Sequence, residues 1–353
     1  MTAKIPVSVL GATGTVGQKF VRLLAEHPWF EVAVVAASAA SAGKRYGEVV
    51  RWREQTPLPE RIGALTVREC APPLPGPIVF SALDAEVAGP IEQAFARAGA
   101  YVVTNTRNHR MDADVPLLVP EVNADHLVLV DRQRAARGWS GAILANPNCS
   151  TAGLVLALAP LHRAFGLEKL FVSTMQAVSG AGHPGVASLD ILGNVIPHIA
   201  GEEEKMERES RKILGTLGAA GVEPAGFLLS AHTNRVAVLD GHLETVSVGF
   251  SRRVTPDDAI AALREFAPSP CVAELPSSPR PPVEVELRAD RPQPRLDLER
   301  GRGMAVTVGR VRPCPILDIR LVLLGHNTIR GAAGQAVQIA ELLVADGRVE
   351  RAQ

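Results

Sequence analysis

Apolar positions along this chain fall into short β-like runs separated by stretches of helical spacing. Residues 4–10 form a β-rich run that ends in Gly11-Ala12-Thr13-Gly14-Thr15-Val16-Gly17. Phe20, Val21, Leu23 and Leu24 then give one face of a helix. Residues 31–37, 78–82 and 101–104 predict further strands, with a helix through residues 91–98 between the last two. Strand, helix and strand in this order argue for an α/β, doubly wound, mostly parallel sheet. Beyond it, an apolar run at 154–158 reads as a buried helix, residues 170–178 and 319–324 as strands, and 327–343 as a closing helix, glycine-rich at its start, that returns to the first half. Residues 266–282 and 288–302 are expected to be loops, the first of them proline-rich. No internal repeat is visible.

At 353 residues the chain exceeds the usual size of one core, so two domains are expected. Lys plus Arg and Asp plus Glu both number 37, which removes any bulk attraction to nucleic acid or anionic lipid. The apolar runs are too short to span a bilayer, and the first residues lack a signal-peptide pattern. Four cysteines, at 70, 149, 271 and 314, show no CxxC spacing and no metal-ligand clustering. These features predict a cytoplasmic protein with reduced thiols, no metal, and a small-molecule substrate rather than a nucleic acid or membrane partner.

The candidate chemistry centres on Asn146-Pro147-Asn148-Cys149-Ser150-Thr151-Ala152-Gly153. Cys149 is predicted at or just before the first turn of a buried helix, with Ser150 or Thr151 as a cap. Helix N-termini favour a thiolate and can lower a thiol pKa from about 8.5 to roughly 3.5–7.5; otherwise Cys149 is one more small buried side chain. The glycine turn at 11–17, spaced GxxGxxG between strand and helix, suits a dinucleotide pyrophosphate. No acidic residue follows the second strand to hold ribose hydroxyls; Ser38, Ser41 and Lys44 stand nearby and would tolerate a 2′-phosphate. The polar turn 104–110 lies at a strand end, where Arg107 or Arg110 holds an anion or simply faces solvent. Gln176 interrupts an apolar strand before the flexible Ser179-Gly180-Ala181-Gly182-His183-Pro184-Gly185. Glu202 and Lys205 share a face of a charged helix that is either functional or merely solvated. Arg235 and His242 flank a short apolar segment with a turn at Asp240-Gly241.

Taken together, GATGTVGQKF, SAGKRYG, NPNCSTAGL, SGAGHPGVASLDILGNVIPHIAGEEEKM, HTNRVAVLDGH, RPQPRLD, GMAVTVGR and HNTIRGAAG give the chain a resemblance to the aspartate-semialdehyde dehydrogenases, in the branch typical of archaea and fungi. The resemblance implies a Rossmann-type dinucleotide-binding domain over 1–148, completed by a C-terminal helix within 327–353. An α+β catalytic and dimerisation domain over 149–326 would complete the chain. It implies NADPH-dependent reduction of L-aspartyl 4-phosphate to L-aspartate 4-semialdehyde, and a homodimer or homotetramer. By the same resemblance Cys149 is the nucleophile, His242 the general acid/base and Gln176 an orienting residue. Arg235 would clamp the substrate α-carboxylate, Glu202 its amine, and Lys205, Arg110 and Asn148 the phosphate. Gly11, Thr13, Gly14, Thr15, Val16, Ser38, Ser41, Lys44, Ser81, Ser179, Gly180 and Asn327 would contact NADP. Many relatives carry arginine where Ala40 stands, which leaves room for NAD. His183 and His198 replace common tyrosines, and Thr233 a frequent cysteine. Rival readings are a malonyl-CoA reductase on the same scaffold, an N-acetyl-glutamyl-phosphate reductase, and a non-catalytic dinucleotide sensor.

Overall fold

In the computed structural model, which describes residues 3–351, six strands form a parallel sheet. They are β1 (Ile5–Leu10), β2 (Phe30–Ala37), β3 (Arg68–Glu69), β4 (Ile78–Ser81), β5 (Tyr101–Thr104) and β6 (Ala142–Ala145), in the order β3-β2-β1-β4-β5-β6. Strands β4, β5 and β6 are buried throughout. Strands covered on both faces read as continuous apolar runs, without alternation. The order reverses between β1 and β4, and ligands of such sheets bind in the crevice at that reversal. Gly11 ends β1 there with φ +70°, and a Cβ on it would lie 2.4 Å from the carbonyl oxygen of Ala82. Only glycine leaves that crevice open.

A second, mixed sheet holds β7 (Leu167–Gln176), β10 (Leu228–Arg235), β11 (His242–Phe250), β12 (Val283–Glu286), β13 (Val306–Pro313) and β14 (Ile319–Gly325), in the order β10-β7-β11-β14-β13-β12. A separate hairpin pairs β8 (Thr216–Leu217) with β9 (Val222–Glu223). In β11 burial alternates, so His242, Glu244, Val246 and Val248 face inward. The cysteine helix, Cys149–Phe165, follows β6 after three residues and joins the two sheets' cores. Every residue from Ser150 to Leu161 is buried, which fits a helix apolar on all sides. Each large apolar side chain there contributes about 1.5–3 kcal/mol by burial.

The expected closing helix at 327–343 begins later than its sequence suggests. A π-helical turn, Ile329–Ala333, comes first, and the helix proper is Gly334–Ala345. The turn carries Arg330 into the core, where its guanidinium meets Glu121 at 2.7 Å. Residues 346–351 are not helical, and 352–353 lie outside the described residues. The strand expected at 170–178 is β7, which starts earlier and stops at Gln176. Short helical turns interrupt the two expected loops, at Pro270–Ala273, Pro294–Asp297 and Arg300–Gly303.

Candidate active site

Cys149 is the first residue of its helix, and Asn148 is the N-cap. The Asn148 side-chain oxygen accepts the backbone N–H of Ser150 at 3.0 Å and of Thr151 at 3.1 Å. Ser150 and Thr151, expected to cap, are therefore the capped residues. The cap lies two residues before Ser150 and three before Thr151, so the helix starts earlier than that expectation required. Cys149 Sγ lies 3.2 Å from His242 Nε2. The opposite ring nitrogen, Nδ1, accepts the backbone N–H of Ala177 at 3.1 Å. A backbone N–H can only donate, so the neutral ring carries its proton on Nε2, facing sulfur. The imidazole is set as a hydrogen-bond donor to Cys149, not as an acceptor of its thiol proton.

Burial pushes the Cys149 thiol up to about 12, with the charge of Glu202 adding to it against Lys205, Arg110 and Arg235. Burial likewise holds His242 down at about 3, although Glu202 favours its charged form. The resting pair is thus neutral thiol and neutral imidazole. The thiolate expected from the helix N-terminus is outweighed by desolvation, a correction that local sequence could not supply.

Both groups stand at a cleft of about 820 Å³ between the sheets' domains, Cys149 on its wall and His242 directly behind. Glu202 is the hub of the polar wall. Its carboxylate accepts from Lys205 Nζ at 2.6 Å, Asn148 Nδ2 at 2.7 Å and Gln176 Nε2 at 3.3 Å. Burial opposes its ionisation, but Lys205 and Asn148 more than offset that and hold its pKa below the ordinary value. Arg235 ends β10, and its Nη1 donates to the Ala177 carbonyl at 2.7 Å. A Cβ on Gly180 would stand 2.8 Å from that guanidinium and 3.1 Å from the His242 ring, so a larger residue there would displace Arg235. Of the two arginines after β5, Arg110 is buried and bonded to Glu209 at 3.0 Å and the Asn105 carbonyl at 2.8 Å. Arg107 is exposed, though it also lines the cleft.

Three features escaped the sequence. Glu209 bridges Arg110 and the backbone N–H of Asn148, the latter at 2.7 Å. Its signal was spacing: Glu202, Lys205, Glu209 and Lys212 follow the three- and four-residue rhythm of one helix face. Glu244 is fully buried beneath the site, and its Oε2 has no hydrogen-bond partner. Burial first and Glu202 second raise its pKa well above the ordinary carboxyl value. The Ala177 N–H that fixes the His242 tautomer has no sequence signature.

On the nucleotide side, Thr15, Val16, Ser179, Gly180 and Asn327 line the same cleft. Asn327 ties its parts together, accepting the Gly241 N–H at 2.8 Å and donating to Ser179 Oγ at 2.8 Å. An adjoining cavity of about 580 Å³ is lined by Gly11, Thr13, Gly14 and Ser38, and shares Leu83 and Asp84 with the cleft. The helix Thr15–Leu24 has no side-chain cap at its start, leaving N–H groups for a pyrophosphate. A dinucleotide fits this continuous groove. Ser81 does not face it: the side chain is buried and donates to Glu92 at 2.7 Å, because β4 is covered on both faces. Ser41 and Lys44 are not among its lining residues either, and Lys44 Nζ folds back to the Ala40 carbonyl at 2.9 Å. Of the departures, Thr233 is buried with its N–H on Glu203 at 3.0 Å, His183 meets Arg53 at 3.0 Å, and His198 is exposed.

Known proteins share this architecture. A family model described as semialdehyde dehydrogenase, NAD binding domain, matches residues 6–130, and one described as semialdehyde dehydrogenase, dimerisation domain, matches 158–330. The aspartate-semialdehyde dehydrogenase of Archaeoglobus fulgidus is 47% identical over 96% of this chain and 97% of its own length. That of Candida albicans is 46% identical, covering 96% of this chain and 97% of its own. A crystal structure of the Candida albicans enzyme with NADP superposes with a TM-score of 0.91 at 43% identity, covering 98% of this chain and 100% of that one. Aspartate semialdehyde dehydrogenase II of Vibrio cholerae, complexed with ASA, gives a TM-score of 0.77 at 27% identity over 98% of this chain and 99% of its own. By its near full-length identity to these relatives and its match to both domains, the chain belongs to the aspartate-semialdehyde dehydrogenase family.

Proposed function

We infer that this chain is an NADP-dependent aspartate-semialdehyde dehydrogenase, reducing L-aspartyl 4-phosphate to L-aspartate 4-semialdehyde on the route to lysine, threonine, methionine and diaminopimelate. The observation that carries this reading is the thiol–imidazole pair at 3.2 Å, at the end of a dinucleotide groove and beside a buried carboxylate and guanidinium. Arg235 offers a planar fork to the substrate α-carboxylate. Glu202 offers a charge to its ammonium, and Lys205 and Arg110 receive the phosphate. Pairing the ammonium with Glu202 also cancels the charge that, after burial, holds the Cys149 proton on.

The sulfur displaces phosphate from the acyl carbon; an S–C bond forms, the C–O bond breaks, and the thiol proton leaves on phosphate. The glycine turn at Gly11 and Gly14 and the uncapped start of the helix Thr15–Leu24 would hold NADPH, which would supply the hydride when bound. The Nε2–H of His242 stabilises the oxyanion by donation and, as the C–S bond breaks, the departing thiolate, which then takes a proton from solvent to restore the resting thiol. Gln176 forms the wall beside the thioester and orients it by packing, its Nε2 already donating to Glu202 and to Thr174 Oγ1 at 3.3 Å each.

Malonyl-CoA has no amine to use Glu202, which disfavours that rival. The deciding experiment runs the reverse reaction with semialdehyde, phosphate and NADP, then NAD, beside malonyl-CoA with NADPH, and Cys149→Ser as control. Turnover of the semialdehyde lost in the control is expected. Turnover of the CoA ester alone, or none, overturns the assignment, and the second outcome would favour a dinucleotide sensor. Two further readings complete the proposal. The outer face of the second sheet exposes Phe171 and Leu228, which suits a homodimer. All four cysteines are free, which suits the cytoplasm.

A further inference from the structure

A cavity of about 770 Å³, nearly as large as the 820 Å³ catalytic cleft, opens at the opposite end of the helix Thr15–Leu24. Its walls come from residues 22–28, 56–59, 276–277, 302–304 and 329–337. Leu23, Pro57, Leu58, Met304, Ile329 and Val337 make most of it apolar. The polar groups of its floor are spoken for. His27 Nε2 is bonded to Glu341 at 2.7 Å, while its Nδ1 accepts the N–H groups of Trp29 and Phe30. Ser277 Oγ also donates to Glu341, at 2.6 Å.

Two guanidiniums remain. Arg22 Nε lies 3.0 Å from Glu54, and Arg302 Nη2 donates to the Pro276 carbonyl at 2.6 Å. Their other N–H groups have no partner among the described residues. Arg302 holds φ at +60°, between Gly301 and Gly303, which are left-handed too. An L-residue avoids that region, so a long cation kept there among glycines is a functional pointer rather than a packing solution. The lining itself offers one acid, Glu26, exposed at the surface as Arg302 is, while Glu54 from outside the lining meets Arg22 only at Nε.

We propose that this cavity is an effector site for a small carboxylate with an apolar body, its carboxylate on Arg22 and Arg302 and its body against the leucine and proline walls. The site is mechanically joined to the catalytic centre at both ends. Ile329 and Gly334 bracket the π turn whose Gly331 packs on Cys149, so closely that a Cβ on it would stand 2.6 Å from the cysteine's. The helix that supplies Arg22 and Leu23 begins at the pyrophosphate turn. Gln18 on that helix bonds the Thr13 carbonyl at 2.9 Å and the Arg53 N–H at 2.8 Å, tying turn to the loop that continues into residues 56–59. A ligand wedged between these parts changes NADPH affinity and the reactivity of Cys149, and by linkage NADPH changes the ligand's affinity by the same factor.

The test uses the full-length protein and octanoate as probe, with octanol as the same body lacking the charge. Calorimetry is expected to show saturable octanoate binding, with octanol at least about tenfold weaker. Saturating octanoate is expected to shift either the NADPH dissociation constant or the rate of Cys149 alkylation by about fivefold or more. Arg302→Gly, which keeps the left-handed backbone, should weaken octanoate at least about tenfold while leaving basal turnover unchanged. If that variant is unstable, Thr56→Trp at an exposed wall position should remove binding by bulk. Equal binding of octanol, full competition with NADPH, affinity indifferent to both substitutions, or binding that moves neither readout would each overturn the proposal.

Discussion

Cys149 is held protonated by two separable causes, burial and the charge of Glu202. With a resting pKa near 12, alkylation by iodoacetamide should climb about tenfold per pH unit through pH 6–9 without levelling. A plateau near pH 7 would show a thiolate already formed. Glu202→Gln removes the second cause, so at any given pH the variant should alkylate faster than wild type. Its kcat/KM with semialdehyde should nevertheless fall, because the ammonium loses its partner. Arg235→Ala is expected to lower kcat/KM by about 30- to 4,000-fold, the range of about 2–5 kcal/mol for one member of a buried charge pair. NADPH binding should survive, and a near-wild-type rate would remove Arg235 from the site. Residue identity was readable where motif and chemistry coincide, as at Cys149, Arg235 and His242. Protonation was not, because it depends on desolvation by segments far apart in the chain. Ser81 shows the same limit from the other side: its place at a strand end is correct for a ligand, but its rotamer serves Glu92.

The helix Glu202–Ile213 sets one charged face against the cysteine turn, with Glu202 at its first residue and Glu209 two turns on. Glu209 holds both Arg110 and the N–H of Asn148, so Glu209→Gln should raise KM for phosphate in the reverse reaction while leaving the NADP dissociation constant in place. Equal losses in both would mark a merely structural residue. Breaking the neighbouring cap by Asn148→Ala should cost about 1 kcal/mol of stability, seen as a lower Tm. Elements with strong periodicity were legible, the all-apolar cysteine helix and the buried parallel strands above all. β10 was not, because Leu-Leu-Ser-Ala-His-Thr-Asn-Arg lacks apolar alternation and gains its strand state from pairing with β7. The π turn was hidden too, since Ile-Arg-Gly-Ala-Ala looks like ordinary helix until Arg330 finds Glu121.

On the scale of the whole molecule, two sheets with separate tasks meet at one cleft. The first supplies the groove, and the second supplies His242, Gln176 and Arg235. The second sheet's outer face leaves Phe171 44% and Leu228 71% exposed, more than such side chains usually tolerate at a strand surface. The homodimer proposed through this face predicts that Phe171→Asp with Leu228→Asp lowers the sedimentation coefficient to that of a monomer; an unchanged coefficient would overturn that proposal. Two-domain division could be inferred from length and alternation, whereas the mixed order of the second sheet could not, because long-range pairings leave no local trace.

One consequence follows from the three-residue passage between β6 and the cysteine helix. The nucleophile and its cap sit on the joint itself, directly behind the last strand of the first sheet. Halves of the gene cut at Pro147 and made apart would each keep the strands of one sheet, yet the mixture would stay silent toward aldehyde until that joint was restored.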